Sequence, residues 1–466
     1  MKNIYVMLAA TLLLSASLQG TLCGRASKAK SSKKEQKNIY NEIKTEDKLT
    51  QHCHKKGTAV KAKKIISVDL TKKADEQPFP LHNRWHPDIP ATAMIDPGET
   101  VRIECLDWTG GQIKNNDDAT DIKNVDLNQV HYLSGPVAVR GTEPGDLLVV
   151  DIIDIGPLQG NEWGYTCIFA KENGGSFLTD HFPYAAKAIW DFDGVYATSR
   201  HIPEVRFSGI AHPGVIGVAP SRDLLKRWNK REKDLIKTNP NRVPPLACPP
   251  DPRSAVVGKL KGRDAERVMR EGCRTVPPRE NGGNTDINSF TRGSRIYFPV
   301  HVKDALLSVG DLHFSEGDGE ISFCGAIEMA GWIELKIDVI KQGAKKYNLK
   351  QPIYKSAEPQ PKYSNYIVFE GFSVDENDKQ YYMDASMSFR RACLNAIDYL
   401  KQFGYTGEQV CILLSAAPVE GNIKAIVDIP NACTSLAIPT DIFNFDIWPS
   451  DKGPIKYNVR KELTVK

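Results

Sequence analysis

The feature that most constrains the fold of this chain is a series of short β-branched segments, each of which ends in a turn. The first half contains "IISVDL", "ETVRIECLDW", "PVAVRG" and "DLLVVDIIDIG", separated by Pro-Gly, Gly-Gly and Glu-Pro-Gly-Asp sequences. Val, Ile and Thr pack well on a pleated surface, whereas Gly, Pro and Asp favour turns. The pattern resumes after Ser294 with "SRIYFPVHV" and "EISFCGAIEMAGWIELKIDVI". The sequence therefore predicts a mainly β fold with α insertions, a β-rich α+β architecture.

Two regions interrupt this pattern and predict helices. The basic sequence "RDLLKRWNKREKDLIK" begins a helical and Pro-rich insertion over residues 222–280. Near the C-terminus, "MDASMSFRRACLNAIDYLKQFG" has the apolar spacing of an amphipathic helix. The residues on its apolar face are Phe389, Cys393, Ala396, Ile397, Leu400 and Phe403. Thr406 and Gln409 then have the spacing of a capping box, which predicts a second short helix.

The N-terminal segment differs in composition from the rest of the chain. Residues 1–23 combine Lys2, an apolar run and small residues, which is the pattern of a signal peptide. Residues 24–64 form a basic leader of low complexity, with 13 Lys and Arg against 4 Asp and Glu, although the net charge of the whole chain is only +4. We expect a body over residues 65–450 and a C-terminal tail over residues 451–466. The leader is either a solvated extension or the second part of a bipartite transit signal.

Composition also excludes several classes of protein. The ten Cys are scattered without a CxxC pair, too few for a disulfide scaffold. No run of eighteen apolar residues follows the N-terminus, so we expect no membrane span in the mature chain. The basic leader lacks interleaved aromatic residues, so we expect no nucleic-acid partner. The N-terminal pattern predicts entry into the secretory pathway and an extracellular or organellar location, with a cytoplasmic location as the alternative.

The segment "GDLHFSEGDGEI" over residues 310–321 concentrates acidic charge within a predicted β-hairpin. A two-residue turn at Gly317-Asp318 or Asp318-Gly319 sorts the side chains onto two faces. The polar face carries Asp311, His313, Ser315, Glu320, Ser322, Cys324 and Glu328, and the apolar face carries Leu312, Phe314, Ile321 and Phe323. No Lys or Arg lies between Lys303 and Lys336. Such a face suits a divalent cation or a general acid/base site. The alternative is a solvated polar face.

Three further candidates lie outside this segment or at its edge. The Gly-rich "ENGGNTDIN" presents Asn284 and Asp286, either as a capped turn or as a loop that contacts a small ligand. "LHNRWHP" contains His82, a second candidate for a catalytic role. Cys324 is a possible nucleophile only if a base activates its thiol. The GxSxG elbow of serine hydrolases is absent from the sequence.

Several motifs together give the sequence a family resemblance. "LHNRWHPDIPATAMIDPGETV", "LDWTGGQI", "HPGVIGVAPS", "ENGGNTDIN", "GDLHFSEGDGEISFCGAIEMAG" and "APVEGNIKAIVDIPNACTSLAIPTDIF" resemble the acetamidase/formamidase family, and the formamidase branch most closely. The resemblance spans roughly residues 65–450. It implies a β-sandwich enzyme of nitrogen metabolism that hydrolyses formamide, and other short aliphatic amides more weakly, to the carboxylate and ammonia. It also implies a homo-oligomer, often trimer-based, and a divalent metal ion bound in some relatives.

The hairpin geometry and the resemblance lead to a specific site hypothesis. A divalent ion, of the Zn or the Ca/Mg class, is expected to be held by some of Asp286, Asp311, His313 and Glu320 and to activate water. Glu328 or Glu320 is expected to act as the general base, Asn284 to orient the amide, and His82 to contribute to catalysis. The resemblance also indicates two departures from relatives, Glu316 in place of Gln and Thr at position 285. The alternatives are a catalytically silent ligand-binding protein of the same fold and an enzyme with Cys324 as nucleophile.

Overall fold

The computed structural model describes residues 62–238, 251–358, 362–457 and 463–465. The predicted signal peptide and nearly all of the predicted leader lie outside the described residues. The described strands, in chain order, are β1 (Lys63–Ile66), β2 (Arg84–Trp85), β3 (Ala93–Ile95), β4 (Thr100–Cys105), β5 (Leu133–Val139), β6 (Leu147–Pro157), β7 (Trp163–Ile168), β8 (Ala185–Asp193), β9 (Tyr196–Ser199), β10 (Arg206–Ser208), β11 (His212–Val218), β12 (Cys273–Arg274), β13 (Pro278–Arg279), β14 (Gly282–Asn284), β15 (Arg295–Pro299), β16 (Leu307–His313), β17 (Phe323–Met329), β18 (Gly331–Ile340), β19 (Ile353–Lys355), β20 (Tyr366–Phe372), β21 (Glu420–Ala425), β22 (Cys433–Pro439) and β23 (Thr464–Val465).

The described helices are fewer and most are short. The α-helices are α1 (Thr120–Lys123), α2 (Arg222–Thr238), α3 (Gly262–Glu271), α4 (Gly343–Lys346), α5 (Ala385–Lys401) and α6 (Gly407–Ala416), and the 3₁₀ turns are Ala74–Glu76, Leu127–Gln129, Pro252–Ser254 and Thr440–Ile442. Within the described part of the chain, no helix is both long enough and apolar enough to cross a membrane. The structure thus confirms the predicted mainly β fold with α insertions.

Two large sheets form the centre of the molecule. The first has six strands in the order β1-β4-β18-β6-β15-β19. The second has twelve strands, with β10-β9-β8-β7-β17-β16-β11-β14-β13 as its main path and β3, β5 and β23 attached at its sides. A three-stranded sheet, β20-β22-β21, packs against α5, and β2 pairs with β12.

The two large sheets bury their facing sides in one hydrophobic core. In β18, Ile333, Leu335 and Ile337 alternate with more exposed residues and are fully buried. This period of two places one face of the strand in the core. Ile103 of the same sheet and Val309 of the twelve-stranded sheet belong to the same buried cluster. Two sheets that share a core in this way form a β-sandwich, as the resemblance implied.

The predicted helices are present, and their buried faces are largely those expected from the sequence. The basic sequence after Ser221 forms α2, and the amphipathic sequence near the C-terminus forms α5. In α6, the side chain of Thr406 accepts a hydrogen bond from the Gln409 backbone N–H, and the Gln409 side chain accepts one from the Thr406 N–H. This reciprocal pair is the predicted capping box.

Strand β16 changes its partner in the middle, and this change positions the polar site. Its first half, Leu307–Gly310, pairs with β5, whereas Leu312 and His313 pair with β17 on the same side of the strand. Asp311 lies between these two pairings and has a φ of 55°, in the left-handed region that is unusual for a residue other than Gly. Asp311 therefore lies where β16 passes from one partner strand to the other.

The predicted two-residue turn at residues 317–319 is wrong. Strand β16 ends at His313 and β17 begins at Phe323, so nine residues connect them. Gly317 N–H donates to the Ser415 carbonyl at 2.8 Å, and Ser322 N–H donates to the Ser415 hydroxyl at 3.0 Å. These contacts with α6 satisfy the loop backbone, which explains why local turn preferences did not decide its length. The predicted apolar face also fails at Phe323, which is 45% exposed.

Candidate active site

One row of side chains crosses four strands of the twelve-stranded sheet. His212 of β11 pairs with His313 of β16, and His313 pairs with Glu328 of β17. Tyr165 of β7 pairs in turn with Glu328. Residues directly opposite one another in neighbouring strands project their side chains from the same face of the sheet. The pairing therefore brings the His212 imidazole together with His313 and Glu328, which lie more than 100 residues further along the chain.

The loop that connects β16 with β17 adds two acids to this row. The Glu316 carboxylate lies beside both imidazoles, with Oε2 at 2.9 Å from His212 Nε2 and 3.0 Å from His313 Nδ1. The Glu320 carboxylate lies on the other side of the loop, where its Oε1 accepts the Gly325 N–H at 3.0 Å. The docking of this loop on α6 thus fixes the position of both carboxylates.

Gly214 binds the Asp286 segment through its carbonyl and leaves room for two side chains of the site. The Gly214 carbonyl accepts the N–H groups of Thr285 and Asp286 at 3.1 and 3.3 Å. A Cβ at position 214 would lie 2.5 Å from His313 Cε1 and 2.7 Å from Asp311 Oδ2. Such distances are far inside van der Waals contact, so any larger residue would displace the site. The glycine therefore leaves the space that the His313 ring and the Asp311 carboxylate occupy.

Three of the site acids have strained backbone conformations. The φ values are 47° for Asp286, 55° for Asp311 and 43° for Glu320. Left-handed conformations cost free energy in residues other than Gly and cluster where function requires a particular side-chain position. Three such residues in one polar group indicate that the protein retains these acids in spite of a cost in stability.

The acids and the imidazole of His313 lie within a few ångströms of one another. His313 Nε2 is 3.2 Å from Glu328 Oε2 and 3.4 Å from Asp311 Oδ1. His131 Nε2 approaches Asp311 Oδ2 at 3.8 Å. Asp311, His313 and Glu328 are each at most 3% exposed. The charge therefore lies inside the protein, and the solvated polar face considered above is wrong.

Burial and crowding perturb the protonation of these groups. Burial raises the pKa of Glu328 to about 8, and the Asp311 carboxylate adds to this shift. Burial and the other nearby carboxylates hold the pKa of Asp286 and Glu320 well above the usual range. Burial would also raise the pKa of Asp311, but the charge of His313 outweighs it and lowers that pKa to about 2. The carboxylates of Glu328 and Asp311 hold the pKa of His313 well above its usual range despite burial. The site thus favours a positive charge at its centre.

Unpartnered polar atoms indicate where such a charge would lie. Asp311 Oδ1, His313 Nε2 and Glu328 Oε2 are buried without a hydrogen-bond partner among the described residues. Ligand atoms of Asp286, Asp311 and His313 all lie within 4.8 Å of one another. Carboxylate oxygens and an imidazole nitrogen are common ligands of divalent metal ions. The residues therefore fit a divalent cation.

The remaining predicted site residues have different surroundings. Asn284 Nδ2 donates to the Val276 carbonyl at 3.0 Å, and its Oδ1 is buried without a partner among the described residues. His82 has both ring nitrogens occupied, Nδ1 by the Arg84 carbonyl at 2.9 Å and Nε2 by the Ser308 hydroxyl at 2.8 Å. Burial lowers the pKa of His82 to about 4. In this conformation, neither nitrogen is free to exchange a proton with a substrate.

Cys324 is poorly suited to nucleophilic chemistry. It lies directly opposite Cys167 across β7 and β17. Burial, with the contact to Cys167, raises the pKa of the Cys324 thiol well above its usual range. The thiolate is the nucleophilic form, and this environment disfavours it.

Two histidines of the site were missed as candidates in the sequence. His212 is in "AHPGVIGVAPS", which has Gly and Pro spacing but no phosphate-loop signature, and His131 is a single His in "VHYLSG". Each lies more than 100 residues from its partner on β16. Only the strand pairing connects them, so no local signal in the sequence could have found them.

A cavity of about 300 Å³ lies next to this site and has Asp286 in its wall. Its other polar lining residues include Asn288, Asp318, Tyr363 and Tyr366. The volume is at the lower end of small-molecule sites. A small polar molecule in this cavity would contact the Asp286 side of the site.

The comparisons with known proteins agree with this geometry. The sequence model of the Acetamidase/Formamidase family matches residues 67–445. The chain is 61% identical over 392 residues to a formamidase of Methylophilus methylotrophus, which covers 84% of this chain and 96% of that protein. It is 56% identical over 366 residues to an acetamidase of Mycolicibacterium smegmatis, which covers 77% of this chain and 90% of that protein. The solved structure of a gamma lactamase from Delftia acidovorans has a TM-score of 0.84 at 53% identity and covers 86% of this chain and 98% of that one.

The fold and the site define a β-sandwich hydrolase with a buried centre of carboxylates and imidazoles. The chain belongs to the acetamidase/formamidase family, which confirms the resemblance seen in its motifs. It is accordingly a hydrolase that acts on short amides and releases the acid and ammonia.

Proposed function

We propose that this enzyme hydrolyses formamide to formate and ammonia, and acetamide more slowly, at the centre formed by Asp286, Asp311, His313 and Glu328. The observation that supports this most strongly is the group of unpartnered buried atoms on Asp311, His313 and Glu328. The identity of 61% to a formamidase supports formamide as the substrate. One additional methylene changes binding by only about 1–3 kcal/mol, so acetamide should react, though less well.

We propose that Asp286, Asp311 and His313 hold a divalent cation, of the Zn or the Ca/Mg class. When bound there, such an ion would act as a Lewis acid that polarises the amide carbonyl and increases the acidity of water. Glu320, the fourth predicted ligand, lies beside this group, with one carboxylate oxygen bonded to the Gly325 N–H. Its role in this proposal is to ionise when the cation binds and to add negative charge beside it.

We propose that the Glu328 carboxylate is the general base. It faces His313 and is buried, and its pKa of about 8 is suited to proton exchange near neutral pH. It takes a proton from the attacking water as the new C–O bond forms. It then delivers that proton to the amide nitrogen as the C–N bond breaks, so ammonia leaves as a neutral molecule.

We propose that Asn284 recognises the amide nitrogen. Because its Nδ2 donates to the Val276 carbonyl, its free Oδ1 can only accept a hydrogen bond. A primary amide supplies an N–H to such an acceptor, whereas an ester does not. Asn284 therefore favours an unsubstituted amide over the corresponding ester.

The test is ammonia release from formamide by the purified protein, combined with elemental analysis. We expect turnover that is lost on chelation and returns when the divalent ion is restored. Asp311→Asn and His313→Ala should each lower turnover at least about 100-fold. If the wild type releases no ammonia, the silent ligand-binding alternative replaces this proposal. If turnover is unaffected by chelation and by both substitutions, the amidase is independent of the cation.

A second candidate substrate is a cyclic amide. The relative that is 53% identical with a TM-score of 0.84 is a gamma lactamase, and the cavity of about 300 Å³ is much larger than formamide. Opening of a γ-lactam gives an amino acid and no ammonia, so chromatography of the product distinguishes it. Glu328→Gln should abolish both activities if they share one centre.

We propose that the enzyme is a homo-oligomer, trimer-based as the family resemblance implies. Large apolar side chains on the segment after β21 support association, since Val427 and Ile429 are 72% and 68% exposed. Light scattering during size-exclusion chromatography measures the mass of the assembly. A mass of about 52 kDa, that of the single chain, would contradict this proposal.

We also propose that residues 1–23 direct the chain into the secretory pathway, with the basic leader as a possible second targeting signal. The apolar run after Lys2 supports this proposal. Expression of the full chain in its native cells, followed by fractionation and N-terminal sequencing, tests it. Recovery of the intact N-terminus from the cytoplasm would favour the alternative location.

A further inference from the structure

His313 has two different polar neighbourhoods, one at each ring nitrogen. Nε2 faces Asp311 and Glu328, and it has no hydrogen-bond partner among the described residues. Nδ1 faces Glu316 Oε2 at 3.0 Å and His212 Nε2 at 3.2 Å. A bound cation takes the place of one ring hydrogen, so the nitrogen that keeps its hydrogen decides which of these neighbourhoods holds the cation.

The hydrogen bonds on the Nδ1 side determine that choice. The Ile210 carbonyl lies 2.7 Å from His212 Nδ1 and can only accept, so His212 carries a hydrogen at Nδ1. Its Nε2 therefore faces Glu316 Oε2, which also lies opposite His313 Nδ1. The Glu316 carboxylate oxygen can only accept, so His313 carries a hydrogen at Nδ1.

We propose that Glu316 and His212 are positioning residues, which fix His313 with its hydrogen on Nδ1 and direct its Nε2 lone pair toward Asp286 and Asp311. This inference rests on the cation proposed above and assigns that cation to one side of His313. Carboxylate partners of ligating histidines commonly fix the ring and its tautomer in this way. His212 in turn holds Glu316, because its own ring is anchored to the Ile210 carbonyl.

A competing arrangement uses the opposite side of the ring. His212, His313 and Glu316 also present ligand atoms close enough to share an ion. Their facing atoms, however, are 2.9–3.2 Å apart and within hydrogen-bonding distance of one another. The atoms that lack partners are those on the Nε2 side. The polar atoms on the Nδ1 side of His313 are hydrogen-bonded, whereas those on the Nε2 side lack partners among the described residues. We therefore place the cation at Nε2.

The experiment measures Zn²⁺ and Co²⁺ dissociation constants of the metal-stripped full chain by competition with a chromogenic chelator. Glu316→Ala should weaken binding about 10–100-fold, the usual effect of removing such a partner. Glu316→Gln keeps an acceptor oxygen opposite His313 Nδ1, so it should restore affinity to within about threefold of the wild type. His212→Ala should weaken binding less than Asp311→Asn, which removes a charged ligand.

Glu280→Gln is the matched control, since it removes a hydrogen-bonded carboxylate, here a partly buried one, from a different part of the fold. Glu280 accepts hydrogen bonds from Trp228 Nε1 at 2.7 Å and from Arg231, outside the site. This variant should lose stability and keep its metal affinity, which separates positioning from general destabilisation. A long-range ¹H–¹⁵N spectrum of histidine-labelled, Zn²⁺-loaded protein should show His313 with its hydrogen on Nδ1.

The outcomes distinguish this inference from the proposed function. If the wild type binds neither ion, the proposed cation fails first. If it binds ions and Glu316→Ala binds them equally well, the positioning role is overturned while the cation remains. If Glu316→Gln abolishes binding and Asp311→Asn does not, the ion lies on the His212 side and the inference is wrong.

Discussion

At the scale of single residues, Glu328→Gln separates the charge of the general base from its shape. The amide of Gln fills nearly the same space but cannot take a proton from water. We expect turnover of formamide to fall about 10²–10⁴-fold, the usual contribution of general base catalysis. The ammonia assay measures this change, and circular dichroism should show an unchanged fold. Turnover within tenfold of the wild type would assign the base to another group, with Glu320 as the next candidate.

The same residue makes the stability of the metal-stripped protein depend on pH. The pKa of Glu328 is about 8 in the folded protein, against the ordinary glutamate value of 4.5, so the unfolded chain ionises first as the pH rises. The contribution of Glu328 to the free energy of unfolding is therefore complete below about pH 4.5 and is lost progressively toward pH 8. We expect the free energy of unfolding to fall with a slope of up to roughly 1.4 kcal/mol per pH unit from this group alone.

Denaturant unfolding between pH 5.5 and 8 measures this slope, which should be smaller in Glu328→Gln. Glu280→Gln is again the control, because the pKa of Glu280 is lowered to about 2 by Arg231 and Trp228 against the effect of burial. Glu280 is ionised in both states over this pH range, so its replacement should lower stability without changing the slope. An unchanged slope in Glu328→Gln would show that Glu328 is already ionised in the stripped protein.

At the scale of elements, the loop between β16 and β17 depends on close contact with α6. A Cβ at Gly317 would lie 2.0 Å from the Leu414 carbonyl oxygen. Gly317→Ala must therefore move the loop that carries Glu316 and Glu320. We expect a loss of about 3 kcal/mol or more in the free energy of unfolding and a marked loss of turnover.

The control for this substitution is Gly141→Ala. Gly141 has a φ of 75° and no atom within 4 Å of the added Cβ, so it incurs only the left-handed backbone cost of about 1–2 kcal/mol. Its turnover should match that of the wild type. Equal effects of the two substitutions on turnover would mean that the docked loop does not position the site.

Elements also show how much the sequence alone could predict. The β-branched runs, α5 and the capping box of α6 depend on local periodicity and were predicted correctly. The alternation of side chains along β16 and β17 correctly predicted a shared face for Asp311, His313 and Glu328. This prediction holds although the predicted turn was too short. The length of the loop was missed, since it depends on hydrogen bonds to Ser415 that are distant in sequence.

At the scale of the whole molecule, the first strand belongs to the sandwich and not to the leader. Strand β1 begins at Lys63, and Lys63 and Lys64 were both predicted to lie in the basic leader. It pairs in parallel with β4, with Ile66 opposite Ile103. Ile66 is 1% exposed and packs in the main core. The basic charge of Lys63 and Lys64 led to their prediction as part of the leader. Their strand pairs with β4 at the edge of the six-stranded sheet, so they belong to the body.

Two truncations test this boundary. Removal of residues 1–61 leaves β1 intact, so we expect the free energy of unfolding and the turnover of formamide to match the full chain. Removal of residues 1–66 deletes β1 and exposes the surface that Ile66 covers, which should cost about 2–3 kcal/mol from apolar burial and lost ladder hydrogen bonds. Denaturant midpoints of the two purified proteins, compared with the full chain, measure the difference. Equal stability of both truncated proteins would show that β1 contributes nothing to the sandwich. If the protein that lacks only residues 1–61 fails to fold, the leader itself supports the body.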